Sequence, residues 1–527
     1  MTRDFHLPGR SPVYAADGMV ATSHPLASAA ALETLRAGGT AADAAVTAVA
    51  ALGVLEPHMT GIGGDCFCLV AKAGAPLWGY NGSGRSGAAA RAEPLFAQGI
   101  RAIAADSIHS VTVPGAIEAW DVILRAHGRF GLDRALAPAI RYAEEGAPVA
   151  PRVAFDWEGA VERLKRDPGA TRHFLVGSRA PLAGDRMKNS ALAAVMRAVA
   201  SNGPKAFYQG EPAEDIVATV KPHGSYLTVE DFARHRGEVA EPITSNYRGL
   251  DVVELPPNGQ GLAALVLLNI LERFDLAALD PNSAERLHIE LEAARLAYAI
   301  RDTHIADPAF MRTSVPALLD KAFARSLADR IDRQKRVALP LAPTPGSHTV
   351  LVTVVDRDRT AVTIINSLFA TFGVGIATEK TGIMLHNRGH GFIVDPAHPN
   401  SFGPSKRPMH TIIPALGLRD GRCDLAFGVM GGHYQAVGHA HFVSNLVDYG
   451  MDLQSALESP RVFFLGEKTE VERGVPPASV EGLKARGHDV ITRPSPLGGG
   501  QSIRIDWERG VLIGASDHRK DGLAIGY

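Results

Sequence analysis

Apolar and polar positions change their spacing several times along the chain, and each change marks an element. Residues 26–37 and the run from Thr40 to about Leu52 are Ala-rich and read as two helices. Gly38-Gly39 stops the first of them. Thr40-Ala41-Ala42-Asp43 has the form of a capping box with Asp in place of Glu, so a packed helical hairpin is expected. Cys66-Phe67-Cys68-Leu69-Val70 follows as a strand. Further helices are predicted at about 188–201, 212–220, 260–273 and 282–302, the third introduced by the turn residues Pro256-Pro257-Asn258-Gly259-Gln260-Gly261. From 331 to 347 the periodicity stops. Arg333, Lys335 and Arg336 precede Pro340, Pro343, Pro345 and Gly346, which reads as an exposed, extended linker and the best boundary in the chain. Directly after it, Thr349–Val355 is a buried-strand run, Asp356–Arg359 a turn and Ala361–Ile365 the returning strand.

Composition adds mainly exclusions. With 527 residues, 46% of them apolar and 21% charged, the chain can bury a large core without disulfide or metal staples. Lys plus Arg is 54 and Asp plus Glu is 56, a net charge of −2. That balance speaks against a nucleic-acid partner and against a polybasic membrane-surface protein. Cys66, Cys68 and Cys423 make no disulfide framework, and the first two read as packed thiols. No basic stretch followed by an apolar run opens the N-terminus, and no run is apolar enough to span a membrane. A cytoplasmic protein is therefore expected. In Glu56–Asp65 three glycines permit positive φ and close backbone approach. Gly61-x-Gly63-Gly64 precedes a strand and lacks the G-x-G-x-x-G spacing, so it is not a dinucleotide site. Among 20 histidines the close pairs, His386 with His390 and His439 with His441, come without a third ligand. No metal and no cofactor are expected, and His433 and His439 are read as lining or supporting a site.

Several segments, taken in order, resemble the γ-glutamyltransferase family of N-terminal-nucleophile hydrolases. They are Glu56–Asp65, Pro256–Gly261, Thr349–Asp356, Phe372–Asn387, Pro404–Pro414, Gly431-Gly432 and Gly514–Asp517, spread over most of the chain, and the branch they resemble is a cytoplasmic one. The resemblance implies an α+β fold, a four-layer αββα sandwich, made as a precursor that cuts itself. The nucleophile would be Thr349 and the scissile bond His348–Thr349. The large subunit would be 1–348 and the small one 349–527, together one interwoven unit. The cleaved subunits would form a heterodimer, and a dimer of heterodimers is a further form the resemblance allows. It also implies that Ser367 orients the nucleophile and that Gly431 and Gly432 hold the oxyanion. Arg388, His410, Thr411, Asn81 and Arg85 fall at or beside substrate-binding positions.

Elementary chemistry supports Thr349 independently. A Thr hydroxyl needs an adjacent base to act as nucleophile at neutral pH. An α-amino group titrates near ~7.7–8, in the useful range for a general base, and only cleavage creates one there. Ser347 and Thr344 are the nearest rivals, but the strand spacing disfavours both.

The chain also departs from the family pattern. Asn81 stands where an Arg grips the donor's α-carboxylate, and Arg85 lies four residues on. Arg388 and Gly391 replace the Gln and the acidic residue that hold the donor's α-ammonium, and Phe369 replaces an Asn. Losing a carboxylate and gaining Arg388 suits a carboxylate-bearing substrate without an ammonium group. Candidate small-molecule substrates are γ-glutamyl amides such as glutathione, oxamate, or a diacid amide, with hydrolysis or acyl transfer. On this reading Arg388→Ala weakens use of such substrates and leaves self-cleavage intact. The rival class is an unprocessed, non-catalytic relative acting as a binding protein.

Overall fold

The computed structural model describes residues 9–339 and 348–527, with the backbone alone at His348. Linker residues 340–347, including Thr344 and Ser347, lie outside the described residues, as does the extreme N-terminus read for a secretion signal.

The predicted helical hairpin is α1 (Pro25–Arg36) and α2 (Ala41–Leu55). Its capping box is complete: Thr40 Oγ1 accepts the Asp43 N–H, and Asp43 Oδ2 accepts the Thr40 N–H at 2.8 Å. Among the described residues two seven-stranded sheets are formed by fourteen strands. These are β1 (Val13–Ala15), β2 (Met19–Thr22), β3 (Asp65–Ala71), β4 (Trp78–Asn81), β5 (Glu238–Ala240), β6 (Ile243–Tyr247) and β7 (Leu250–Glu254). After the linker come β8 (His348–Val355), β9 (Ala361–Phe369), β10 (Ala415–Arg419), β11 (Arg422–Met430), β12 (Gly499–Asp506), β13 (Val511–Ser516) and β14 (Leu523–Gly526). One sheet runs β1-β13-β12-β11-β10-β7-β6 and the other β14-β2-β8-β9-β3-β4-β5, with every neighbouring pair antiparallel. Each sheet contains strands from both sides of residue 348.

Side-chain parity produces four layers. Val350, Val352 and Val354 of β8 and Val362 and Ile364 of β9 pack against α2 and its neighbouring helices. Leu351, Val355, Ala361 and Ile365 point the other way and meet Val253, Leu416, Ala426 and Ile503 of the facing sheet. That sheet turns Val252, Leu425 and Phe427 toward α3 (Gly261–Leu271), α4 (Ala284–His304) and α5 (Gln435–Val447). The result is helix on sheet on sheet on helix, as the resemblance implied. Because both sheets are covered on both faces, their strands read as continuous apolar runs. No helix among the described residues is long and apolar enough to cross a membrane.

The glycines of 61–64 do not supply positive φ. They supply close approach: a Cβ at Gly63 would sit 2.1 Å from the Met384 carbonyl oxygen, and one at Gly64 2.4 Å from that of Ser367. The linker, moreover, is tethered along its described part. His288 donates to the Asp332 carbonyl at 2.7 Å, Arg295 to those of Val337 and Leu339 at 2.8 and 3.1 Å, and Glu292 accepts the Val337 N–H at 2.9 Å.

At the end of α2, Glu56 is buried and accepts from Ser23 Oγ at 3.0 Å. Burial raises its pKa to about 7, against the opposing charge of Lys520. The folded state therefore binds this proton more tightly than the unfolded chain does. Its contribution is complete below the ordinary carboxylate range and is lost as pH rises toward 7. Wild-type stability is expected to fall across that window relative to Glu56→Gln by up to about 3 kcal/mol. Parallel urea titrations of the two proteins at pH 4.5 and 7.5 would measure the difference, and parallel curves would refute it.

Candidate active site

Thr349 is the second residue of β8, fully buried, with the same parity as Leu351 and hence directed between the sheets. The pairing with β9 slips beside it. His348 lies opposite Phe369 but Val350 lies opposite Asn366, so Thr349 alone faces Ser367 and Leu368. Such a bulge re-aims side chains at a strand end. Here it brings Ser367 Oγ to 3.1 Å from Thr349 Oγ1.

Arg388 is delivered to the same place by backbone bonds. The His386 N–H donates to the Gly63 carbonyl at 3.1 Å and the Asn387 N–H to that of Leu368 at 3.2 Å. The buried Arg388 guanidinium then donates from Nη2 to Ser367 Oγ at 3.2 Å and from Nη1 to Thr411 Oγ1 at 2.8 Å. It also lies 4.4 Å from the centroid of the Phe369 ring. Burial pushes its pKa down to about 9, with Asp65 opposing the shift, so it stays charged at neutral pH. Phe369 has φ +75°, a left-handed conformation unusual for a bulky side chain, and its N–H donates to Ser367 Oγ at 2.9 Å.

Asp65, first residue of β3, organises the floor. Oδ1 accepts the N–H groups of Gly84 and Gly115 at 3.1 and 3.2 Å, and Oδ2 accepts His410 Nε2–H at 3.1 Å. Although burial alone would raise its pKa, the neighbouring His386, His410 and Arg388 hold the carboxyl well below the usual range. His410 is driven down to about 3 by burial and then by Arg388, so it is a neutral imidazole. Its Nδ1 accepts the Ile412 N–H at 3.2 Å. His410 therefore supports Asp65, while Thr411 reaches Arg388.

The turn after β11 is built from Gly431 and Gly432, with φ +124° and +57°. Both values favour glycine, and a Cβ on Gly431 would meet the Gly498 Cα at 2.9 Å. Gln260 fixes this turn, donating from Nε2 to the carbonyls of Gly432 and Thr411, each at 2.8 Å. Its Oε1 accepts from Arg301 at 3.0 Å, and Arg301 also donates to His433 Nδ1 at 3.0 Å. His433 is held well below its ordinary pKa by burial and Arg301, hence neutral. His439 supports the turn from below: its Nε2 accepts the Val429 N–H at 3.1 Å and its Nδ1 bonds Glu254 at 2.6 Å.

The structure therefore gathers Thr349, Ser367, Arg388 and Thr411 into one bonded chain, with His410 one layer behind. Asn81 and Arg85 are used differently. The Asn81 amide is committed to Asn258 and Ser83. Arg85 is half-buried and pairs with Glu238 at 2.7 Å and Asp307 at 3.0 Å. Sequence reading missed Gln260, Gln435 and the hub role of Asp65. Asp65 and Gln260 stood inside segments that carry the family resemblance, but the amides of Gln260 and Gln435 have no titratable signal to mark them. It also missed His288, Glu292 and His488, whose ligand-type atoms lie within 4.8 Å of one another. His288 and His488 are hydrogen-bonded to each other at 2.8 Å, and Glu292 is paired with Arg295 at 2.7 Å.

Residues 27–527 match the model of the family described as Gamma-glutamyltranspeptidase. The chain belongs to the gamma-glutamyltranspeptidase family. It is 38% identical over 520 residues to the glutathione hydrolase-like YwrD proenzyme of Bacillus subtilis (strain 168), covering 96% of this chain and 98% of that protein. It is 35% identical over 526 residues to the oxamate amidohydrolase proenzyme of Klebsiella pneumoniae, covering 97% and 98%. The solved cephalosporin acylase from Bacillus halodurans superposes with a TM-score of 0.92 at 39% identity, covering 100% of this chain and 99% of that one. As a gamma-glutamyltranspeptidase-family member the chain is an enzyme of amide bonds, hydrolase or transferase, on the N-terminal-nucleophile hydrolase fold.

Proposed function

We propose that the chain is a self-processing threonine amidohydrolase for small amides whose acyl part carries a carboxylate and no α-ammonium. Cleavage of His348–Thr349 yields subunits 1–348 and 349–527 and frees the Thr349 amine. In turnover Thr349 Oγ1 attacks the substrate carbonyl while its proton passes to that amine. N–H groups of the Gly431–Gly432 turn receive the oxyanion. The leaving amine takes the proton, an acyl-enzyme remains, and water attacks it with the same amine as base. Water as acceptor, rather than an amino acid, fits the proposed cytoplasmic setting.

The observation that carries the substrate class is the Thr349–Ser367–Arg388 chain. A buried cation stands two hydrogen bonds from the nucleophile, and Arg388 Nε is buried with no partner among the described residues. Asp65, the carboxylate that acts on Arg388, is already taken up by Gly84, Gly115 and His410. Relatives named for action on glutathione, oxamate and cephalosporins support a small amide substrate.

Processed protein assayed on oxamate, a glutaryl amide and glutathione tests the reading. The ammonium-free acids are expected to be turned over with the higher kcat/KM. Preference for glutathione would overturn the substrate class while leaving the nucleophile in place.

A further inference from the structure

Gln435 opens α5 three residues after Gly432 and is fully buried. The orientation of its amide is fixed by chemistry. The backbone N–H of Ile413 lies 3.1 Å from one end and can only donate, so that end is Oε1. The other end, Nε2, then faces Thr349 Oγ1 at 3.4 Å. An Nε2–H group donates and does not accept, so Gln435 is no base for the Thr349 hydroxyl. It holds one lone pair of Oγ1 and leaves the hydroxyl proton to point elsewhere.

On the nucleophile assignment above, we propose that Gln435 is a further catalytic residue, a fixed donor to the nucleophilic oxygen. In acylation the Oγ1–C bond forms and the hydroxyl proton moves to the Thr349 amine. In deacylation that bond breaks as water attacks, the amine takes a proton from the water, and Oγ1 regains one. Gln435 exchanges no atoms in either step. Its N–H steadies Oγ1 where negative charge gathers as the acyl bond breaks, and it restricts the hydroxyl rotor before attack. Both effects apply equally to attack on the His348 carbonyl in the precursor.

Two variants separate this role from packing. Gln435→Glu keeps the length and the acceptor for Ile413 but replaces the donor by an acceptor. Gln435→Met removes both. Each is compared with wild type and Thr349→Ala for rate of self-cleavage, kcat, KM and Tm. Expected is a fall of about 10- to 100-fold in kcat of the processed fraction for both variants. Self-cleavage slows in parallel, and KM stays within about twofold because the amide touches the nucleophile and not the substrate. If Gln435→Glu matches wild type while only Gln435→Met is impaired, the residue merely holds Ile413 and the inference is overturned. If Thr349→Ala is cut and active like wild type, the nucleophile assignment itself fails and the inference fails with it.

Discussion

Thr349→Ala protein is expected to purify as one chain of 55.8 kDa. The wild type should give two fragments of roughly 37 and 19 kDa, the shares of that mass held by residues 1–348 and 349–527. Intact-mass spectrometry reads both at once. On the proposed mechanism the substitution removes the attacking atom: Oγ1 sits at the bulge between the sheets with Ser367 and Gln435 arranged around it. Amidase activity should fall by about 10⁴-fold or more, because residues acting as one unit lose nearly everything when one is removed. Thr349→Ser keeps the hydroxyl and, once cut, the amine, so it should process and turn over, more slowly because its rotor is less restricted. A single uncut chain from both wild type and Thr349→Ala would leave the fold intact and make the binding-protein reading the leading one.

Arg388→Ala carries the second large effect, and the structure changes what is expected of it. From sequence alone the residue looked like a substrate contact separable from maturation. In the fold its Nη2 donates to Ser367 Oγ, which lies 3.1 Å from Thr349 Oγ1. The variant should therefore slow self-cleavage as well as lowering kcat/KM for carboxylate amides, the latter by about 10²- to 10³-fold, as expected for loss of one preorganised charged donor. An amide of similar size without the carboxylate should lose less. Arg388→Lys should rescue poorly, since an ammonium cannot span Ser367 and Thr411 as a planar fork does. Equal losses on both kinds of amide would confine Arg388 to positioning Ser367 and remove the charge argument for the substrate.

Much of the architecture could be read from residue order, for reasons visible in particular places. The Thr40–Asp43 box and the Gly38-Gly39 stop are local chemistry, and they sit where expected. β9 runs to Phe369, beyond the apolar run ending at Ile365, because the polar pair Asn366-Ser367 interrupts the apolar pattern without ending the strand. Ser367 was legible on this strand, but the bonds of Asn366 to Thr60 and Gly61 and of Ser367 to Thr349 were not. The bonded cluster of the candidate site was foreshadowed at Thr349, Ser367, Arg388 and Thr411 through ordered motifs. It was not readable at Gln260 and Gln435, whose roles depend on carbonyls and N–H groups far away in sequence. Arg85 misled for the complementary reason: a cation near a motif position suggests a ligand, while its partners Glu238 and Asp307 are unforeseeable from spacing.

The interleaving of strands across residue 348 bears on what happens once the proposed cut is made. Among the described residues five hydrogen-bonded ladders join the two pieces: β14 with β2, β2 with β8, β9 with β3, β1 with β13, and β10 with β7. No piece can slide out without tearing several of them and opening a core buried on both faces. A single covalent chain finds its way into this arrangement as a one-body problem. Two separate polypeptides would have to do so at a concentration-dependent rate. Maturation would thus act as a ratchet: it removes the connection that made assembly easy and leaves a product whose persistence rests on the height of its unfolding barrier.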